Sequence, residues 1–300
     1  MVMMNQLEQN TVDYFEEAFG LDYALLLEPI DAHSPTGKSV RGSTVYRAIE
    51  TARRRDDDSL PLGGWEHDLK RGDWAAVTKL TLEALLGQSK DMQLVAWLLE
   101  AQIHLRGLAA VAPCLMLMEN LCRLYWDTLH PQAEDDAVEH RANIITWISE
   151  KLQPALRLTP LIGNDPANSC NWSDWEQACR NEQIRLQTGQ GNTPAPEGST
   201  MQTLCQCISA TDTGVYLWLQ QTIAFALETI TLLCRTLDAL CGGDAPGMDG
   251  MSRLLQQILS FVEAELHKRG DHSAVASKKI NNLPDAMPIP IPTLMYPHNE

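Results

Sequence analysis

Apolar side chains recur at intervals of three and four along most of this chain, the spacing that lines one face of an α-helix, and capping residues, glycines and prolines punctuate the runs. A first segment, Val12 to Phe19, stops at Gly20, and the stretch Leu25 to Ile30 leads into a Ser/Pro/Gly loop around Ser34 to Gly42. Ser43 is placed to cap a helix with Val45, Ile49 and Ala52 on one face. That helix runs out in Arg53-Arg54-Arg55-Asp56-Asp57-Asp58, where the three aspartates cancel the basic cluster and the run reads as a solvated helix end.

Asp73 is the next capping residue, with Trp74, Val77, Thr81 and Ala84 or Leu85 inward and Gly87 near the stop. Ser89 reads as the cap of another helix, with Asp91 in its first turn, a face of Val95, Leu98, Leu99, Gln102 and Leu105, and Gly107 as terminator. Helical spacing then covers Leu108 to Leu129, with Pro113 in its first turn or at a kink. It resumes from Ala137 to Leu152, with Ile144, Ile145 and Ile148 on one face. Pro160 to Asn171 breaks the pattern, and Ser173-Asp174-Trp175-Glu176 has the spacing of a capping box. Three more helical runs follow, Thr200 to Ala210, Gly214 to Leu240 and Met251 to Lys268. No strand alternation stands out.

These elements predict an all-α fold. A helical bundle or helical-hairpin domain covers residues 1–162, and a second, smaller helical domain covers 163–270 with an internal linker at about 187–199. A proline-rich tail over 271–300 is expected to stay extended and disordered, since Pro284, Pro288, Pro290, Pro292 and Pro297 prevent helix.

Charge narrows the function. The net charge of −16 and pI near 4.9 oppose binding to phosphate backbones and to anionic membranes. The longest apolar stretch, Val215 to Cys241, is interrupted by Gln220, Gln221, Glu228 and Arg235, which suits a buried bundle helix better than a membrane span. The eight cysteines show no CxxC pair, and six of them lie in or at the ends of apolar helical runs. Reduced thiols in a cytoplasm are the simplest reading.

Candidate chemistry is sparse. Ala32 to Ser39 satisfies a relaxed phosphate-loop pattern, but Ala32 replaces a glycine, Pro35 removes an N–H donor and Gly42 delays the helix. The histidines lack zinc-type spacing, no nucleophile elbow occurs, and the carboxylates Asp56 to Asp58 and Glu134 to Asp136 read as solvated loops. No cofactor, metal or catalytic residue is assigned. The five tryptophans of the first half read as core, except Trp65, whose loop Leu60-Pro61-Leu62-Gly63-Gly64-Trp65 lies off any helix face. Trp65 and the turn Ser34, Pro35 and Gly37 are therefore the candidate protein-contact residues.

One set of residues carries a family resemblance. It comprises Pro29-Ile30, Ser34-Pro35-x-Gly37, Tyr46, Ala52-Arg53-Arg54, Leu60-Pro61-x-Gly63-x-Trp65 and Asp73-Trp74-x-x-Val77. It continues with Ser89-Lys90-Asp91-x-Gln93-Leu94-x-x-Trp97-Leu98, Glu100-Ala101, Tyr125-Trp126-x-x-Leu129-His130-Pro131, Arg141 and Trp147. In order and spacing these resemble the ImpA N-terminal domain of the TssA (ImpA/VasJ-like) family of type VI secretion. Trp172-x-x-Trp175-Glu176 and the segment Leu237 to Pro246 resemble the middle helical region of such proteins.

The resemblance implies a non-enzymatic assembly scaffold, cytoplasmic in a bacterium and recruited to the inner face of the envelope through partners. Those partners would be baseplate, sheath or tube, and membrane-complex proteins, with no nucleic acid and no direct membrane insertion. Long members of the family carry a C-terminal ring-forming domain, and a proline-rich tail stands at that place here, so homo-oligomer formation is left open. The competing readings are a helical adaptor unrelated to secretion and a nucleotide-binding switch using Ala32 to Ser39.

Overall fold

The computed structural model describes residues 2–54, 72–132, 137–163, 169–188, 198–242 and 245–270. Its elements in chain order are α1 (Val2–Phe19), α2 (Tyr23–Leu27), α3 (Thr44–Arg53), α4 (Trp74–Gly87), α5 (Met92–Arg106), a 3-10 turn (Gly107–Ala110), α6 (Val111–Tyr125), α7 (Ala137–Lys151) and α8 (Gln153–Leu158). They continue with β1 (Pro160–Ile162), β2 (Cys170–Asn171), α9 (Trp172–Thr188), α10 (Met201–Ala210), α11 (Thr213–Cys241) and α12 (Asp249–Lys268). The fold is all-α. One local correction concerns the break after α8, where β1 and β2 pair antiparallel. Strands this short cannot display a period-two pattern, so nothing in the sequence announced them.

Several boundaries follow local chemistry that the spacing did not reveal. The cap of α5 is Asp91, which accepts from the Gln93 N–H at 2.8 Å, not Ser89. Helix α9 starts at Trp172, and its capping box is Asn171 with Asp174: the Asp174 N–H donates to Asn171 Oδ1 at 3.0 Å while the Asn171 N–H donates to Asp174 Oδ2 at 2.9 Å. Ser173 thus lies inside the helix, displaced by a better reciprocal pair two positions earlier. Ser43 and Asp73 cap α3 and α4 as the spacing requires, and Thr200 caps α10.

The chain divides into two compact units, residues 1–156 with 222–256, and residues 157–221 with 257–300. The sequence suggested boundaries at residues 162 and 270. Residues 222–256 group with the first unit because α11 returns to α6, where Thr236 Oγ1 donates to Glu119 Oε1 at 2.9 Å.

The centre of the first unit is α5, buried almost all round: Met92, Leu94, Val95, Ala96, Trp97, Leu98, Leu99, Ala101 and Ile103 are all inaccessible or nearly so. A helix covered on every side needs no polar stripe, and here α4 and α6 cover it. Taken together, Met92–Tyr125 is apolar and long enough to cross a membrane. Gly107, at φ +64°, breaks the run into two helices, and 67% of its most apolar stretch is buried within the protein. Helix α1 packs on α6, with Phe15 fully buried and the Tyr14 hydroxyl donating to Gln102 Oε1 at 2.9 Å. Gln102 in turn donates to Thr78 Oγ1 at 2.7 Å, so the one buried amide of α5 is satisfied on both ends.

The second unit has its own aromatic cluster. Trp175 and Phe261 have ring centroids 4.6 Å apart, and the Trp172 indole N–H donates to Glu176 Oε1 at 3.1 Å. Glu176 also pairs with Arg157.

Candidate functional site

The Ser34–Gly37 turn is built to touch two other connections of the first unit. The Gly37 N–H donates to the Ser34 carbonyl at 2.9 Å, and the Ile30 N–H to the Pro35 carbonyl at 2.8 Å, which closes the turn on itself. Its inner side then bonds outward. Lys38 N–H reaches the Gln88 carbonyl at 3.2 Å, Lys90 N–H the Thr36 carbonyl at 2.9 Å, and Thr36 Oγ1 the Thr128 carbonyl at 2.8 Å. Gly37 has φ +68°, and a Cβ at this position would fall 2.1 Å from the Gln88 carbonyl oxygen. Only glycine meets both demands.

The third connection is the segment after α6. His130 N–H donates to the Lys90 carbonyl at 3.1 Å, Met92 N–H donates to the His130 carbonyl at 2.9 Å, and His130 Nε2 lies 3.2 Å from the Gly37 carbonyl oxygen. Loops 34–38, 88–92 and 128–131 therefore form one hydrogen-bonded junction.

Two cations hold this junction by capturing backbone oxygens. The fully buried Lys90 ammonium donates to the Leu26 carbonyl at 2.9 Å and the Leu85 carbonyl at 2.8 Å. Burial pushes its pKa down to about 8, partly opposed by the charge of Glu28. The Arg141 guanidinium donates to the carbonyls of Trp126 at 2.8 Å, Leu129 at 2.5 Å and Pro131 at 3.2 Å, and lies 4.4 Å from the Trp126 ring centroid. Its pKa is lowered by burial. Helix ends leave carbonyls without intrahelical partners, and these side chains supply the donors. Asp91 is held above the usual carboxylate range by burial, with the Gln93 N–H and the nearby His130 pulling the other way.

A second knot ties α3 to α5 and α7. Arg53 Nε lies 2.5 Å from Glu100 Oε2, and the guanidinium carbon is 4.9 Å from the Trp97 ring centroid and 5.5 Å from that of Trp147. Tyr46 packs against Trp97 with centroids 4.6 Å apart and the rings tilted by 56°. The solvated helix end expected from the charge run is corrected here: Arg53 is half-buried and partnered, while Arg54 faces water. Arg55 and the three aspartates lie outside the described residues.

Of the contact residues chosen from sequence, Ser34 is exposed and Pro35 half-exposed on the outer edge of the turn, while Gly37 faces the junction. Trp65 lies outside the described residues. The N–H groups that a phosphate loop would present are engaged, Gly37 to Ser34 and Lys38 to Gln88, and the helix that should follow at once begins only at Thr44. Sequence reasoning missed Lys90 and Arg141 as the pins of the junction. For Lys90 the available signal was position, a cation just past the C-terminus of α4 with carbonyls to satisfy, whereas Arg141 lies within α7 and carried no such local signal. Among the described residues of this unit, the exposed large apolar side chains are Val12, Leu25, Leu124 and Val138.

Residues 27–150, the segment that contains the junction and the Arg53 knot, match the family described as ImpA, N-terminal, type VI secretion system. The type VI secretion system component TssA1 of Pseudomonas aeruginosa is 29% identical over 152 residues, 47% of this chain and 42% of that protein. The chain thus spans less than half the length of that relative. Among solved structures, the N-terminal domain including the conserved ImpA_N region of the TssA component of the type VI secretion system from Burkholderia cenocepacia superposes with a TM-score of 0.71. The identity there is 27%, with 82% of this chain and 94% of that chain covered.

Proposed function

With residues 27–150 carrying the ImpA N-terminal region of type VI secretion components, we propose that this protein is a non-enzymatic scaffold that helps assemble the contractile secretion apparatus. It works in the bacterial cytoplasm and is recruited to the inner face of the envelope by its partners, the baseplate, sheath or tube, and membrane-complex proteins. The observation that carries this reading is the similarity of fold over 82% of the chain to a TssA N-terminal domain. The disposition of polar groups supports it. Lys90, Arg141 and Nε2 of His130 bond backbone carbonyls, and Arg53 bonds Glu100, so these side chains fix loops and helices in place.

Contact with partners is assigned to the outer rim of the junction, Ser34 and Pro35, together with Trp65. Gly37 acts by holding that rim in shape. Affinity capture of the tagged protein from a bacterium running the machinery should recover baseplate, sheath or membrane-complex proteins, and deletion should stop secretion. Recovery of none of them, with secretion unchanged in the deletion strain, would refute the assignment. A Trp65→Ala variant should capture less partner at unchanged helical content; loss of the fold would place Trp65 in the core.

A further inference from the structure

The second unit holds a pair of cysteines that the scaffold reading leaves unused. Strand β2 begins at Cys170, which pairs with Ile162 of β1. Helix α10 lays Leu204, Cys207 and its capping residue Thr211 along one side, all buried. Thr211 Oγ1 accepts from the Gly163 N–H at 2.9 Å, one residue beyond the strand partner of Cys170. This bond fixes the end of α10 against the strand pair, and the Cys170 and Cys207 thiols meet there in a hydrogen bond. Both residues are under a tenth exposed, whereas Cys205, two positions away on α10, faces water.

We propose that Cys170 and Cys207 form a redox modification site, at which hydrogen peroxide converts the two neighbouring thiols into a disulfide that fastens β2 to α10. One sulfur, as thiolate, attacks a peroxide oxygen. The O–O bond breaks, the sulfur becomes a sulfenic acid, and the departing oxygen leaves as water with the proton lost by that thiol. The second thiol then attacks the sulfenic sulfur. The S–O bond breaks, and the hydroxyl leaves as a second water with the remaining thiol proton. The two sulfurs together lose two electrons, and the peroxide gains them.

The geometry makes this pair the preferred product. A sulfenic acid formed at either residue has the other thiol as its hydrogen-bonding neighbour, before a second peroxide can carry it to a sulfinic acid. Burial, reinforced by the hydrogen bond to Cys207, keeps Cys170 protonated above the ordinary thiol range, so the first step is slow at neutral pH and faster in alkali. The disulfide would close the chain between residues 170 and 207 into a loop, which restricts the unfolded chain.

The test uses the full chain, fully reduced, exposed to hydrogen peroxide, capped with an alkylating agent and digested without reductant for mass spectrometry. The expected product is a peptide pair joined through Cys170 and Cys207, lighter by two hydrogens and separated by dithiothreitol. The same cross-link should persist in Cys205→Ser. The proposal is overturned if both residues instead carry the alkyl label, if each is oxidised separately to a sulfinic acid, or if the cross-link runs through Cys205 and disappears in that variant.

Discussion

Arg53 and Glu100 meet at 2.5 Å across the α3–α5 contact, with the guanidinium held between the Trp97 and Trp147 rings. The pair is largely withdrawn from water, its side chains 21% and 15% exposed, so deleting one partner strands the other in a poorly solvated place. Arg53→Ala should destabilise the chain by about 2–3 kcal/mol. Arg53→Lys should recover little of that, because an ammonium cannot lie flat against two indoles while reaching the carboxylate. Chemical denaturation of the three proteins measures the difference.

Gly37 and Gly42 share a left-handed backbone but not the same surroundings, with φ of +68° and +75° respectively. A Cβ at Gly42 meets nothing within 4 Å, while one at Gly37 strikes the Gln88 carbonyl oxygen. Gly42→Ala should therefore cost about 1 kcal/mol, the price of the conformation alone. Gly37→Ala should cost about 3 kcal/mol because the junction must also open. Comparable melting temperatures for the two variants would contradict this account of the junction.

The two serine and aspartate positions before α5 give a sharp contrast. Asp91 caps the helix, whereas Ser89 Oγ is buried without a hydrogen-bond partner. Asp91→Ala should cost about 1–2 kcal/mol. Ser89→Ala should be neutral or mildly stabilising, since it removes an unsatisfied hydroxyl. Equal losses at both positions in urea titrations would return the capping role to Ser89.

Lys90 should leave a signature in the dependence of stability on pH. Its folded-state pKa near 8 lies below the ordinary 10.5, so between those values the unfolded chain binds more protons than the folded one. The contribution of Lys90 to stability therefore rises with pH across that window and is flat below it. Subtracting the pH profile of Lys90→Met from that of the native chain isolates this effect from the buried tyrosines and cysteines, which titrate in the opposite sense. A difference that stays constant from pH 8 to pH 10 would show that the ammonium is not depressed.

Much of the fold was legible because helix signals are local. Ser43, Asp73, Gly107 and the three-four spacing of Ile144, Ile145 and Ile148 each act within a turn or two. The strand pair was hidden because it is short and depends on partners eight to eleven residues apart, Ile162 with Cys170 and Pro160 with Asn171. The resemblance placed Gly37, Ser89, Lys90, His130 and Arg141 in one motif series, but their meeting in a single junction depends on three loops distant in sequence. Arg53 was misread for a related reason. A run of mixed charge describes the average of its residues, and the one arginine at the end of α3 found a carboxylate and two rings on other helices.

The placement of α1 against α6 bears on how the chain emerges during synthesis. Helices α4, α5 and α6 are neighbours in both sequence and space, so each can pair as soon as the next leaves the ribosome. Helix α1 waits much longer, because α6, on which it packs, is translated about a hundred residues later. Until then the side of α1 that packs on α6 has no such surface to bury it.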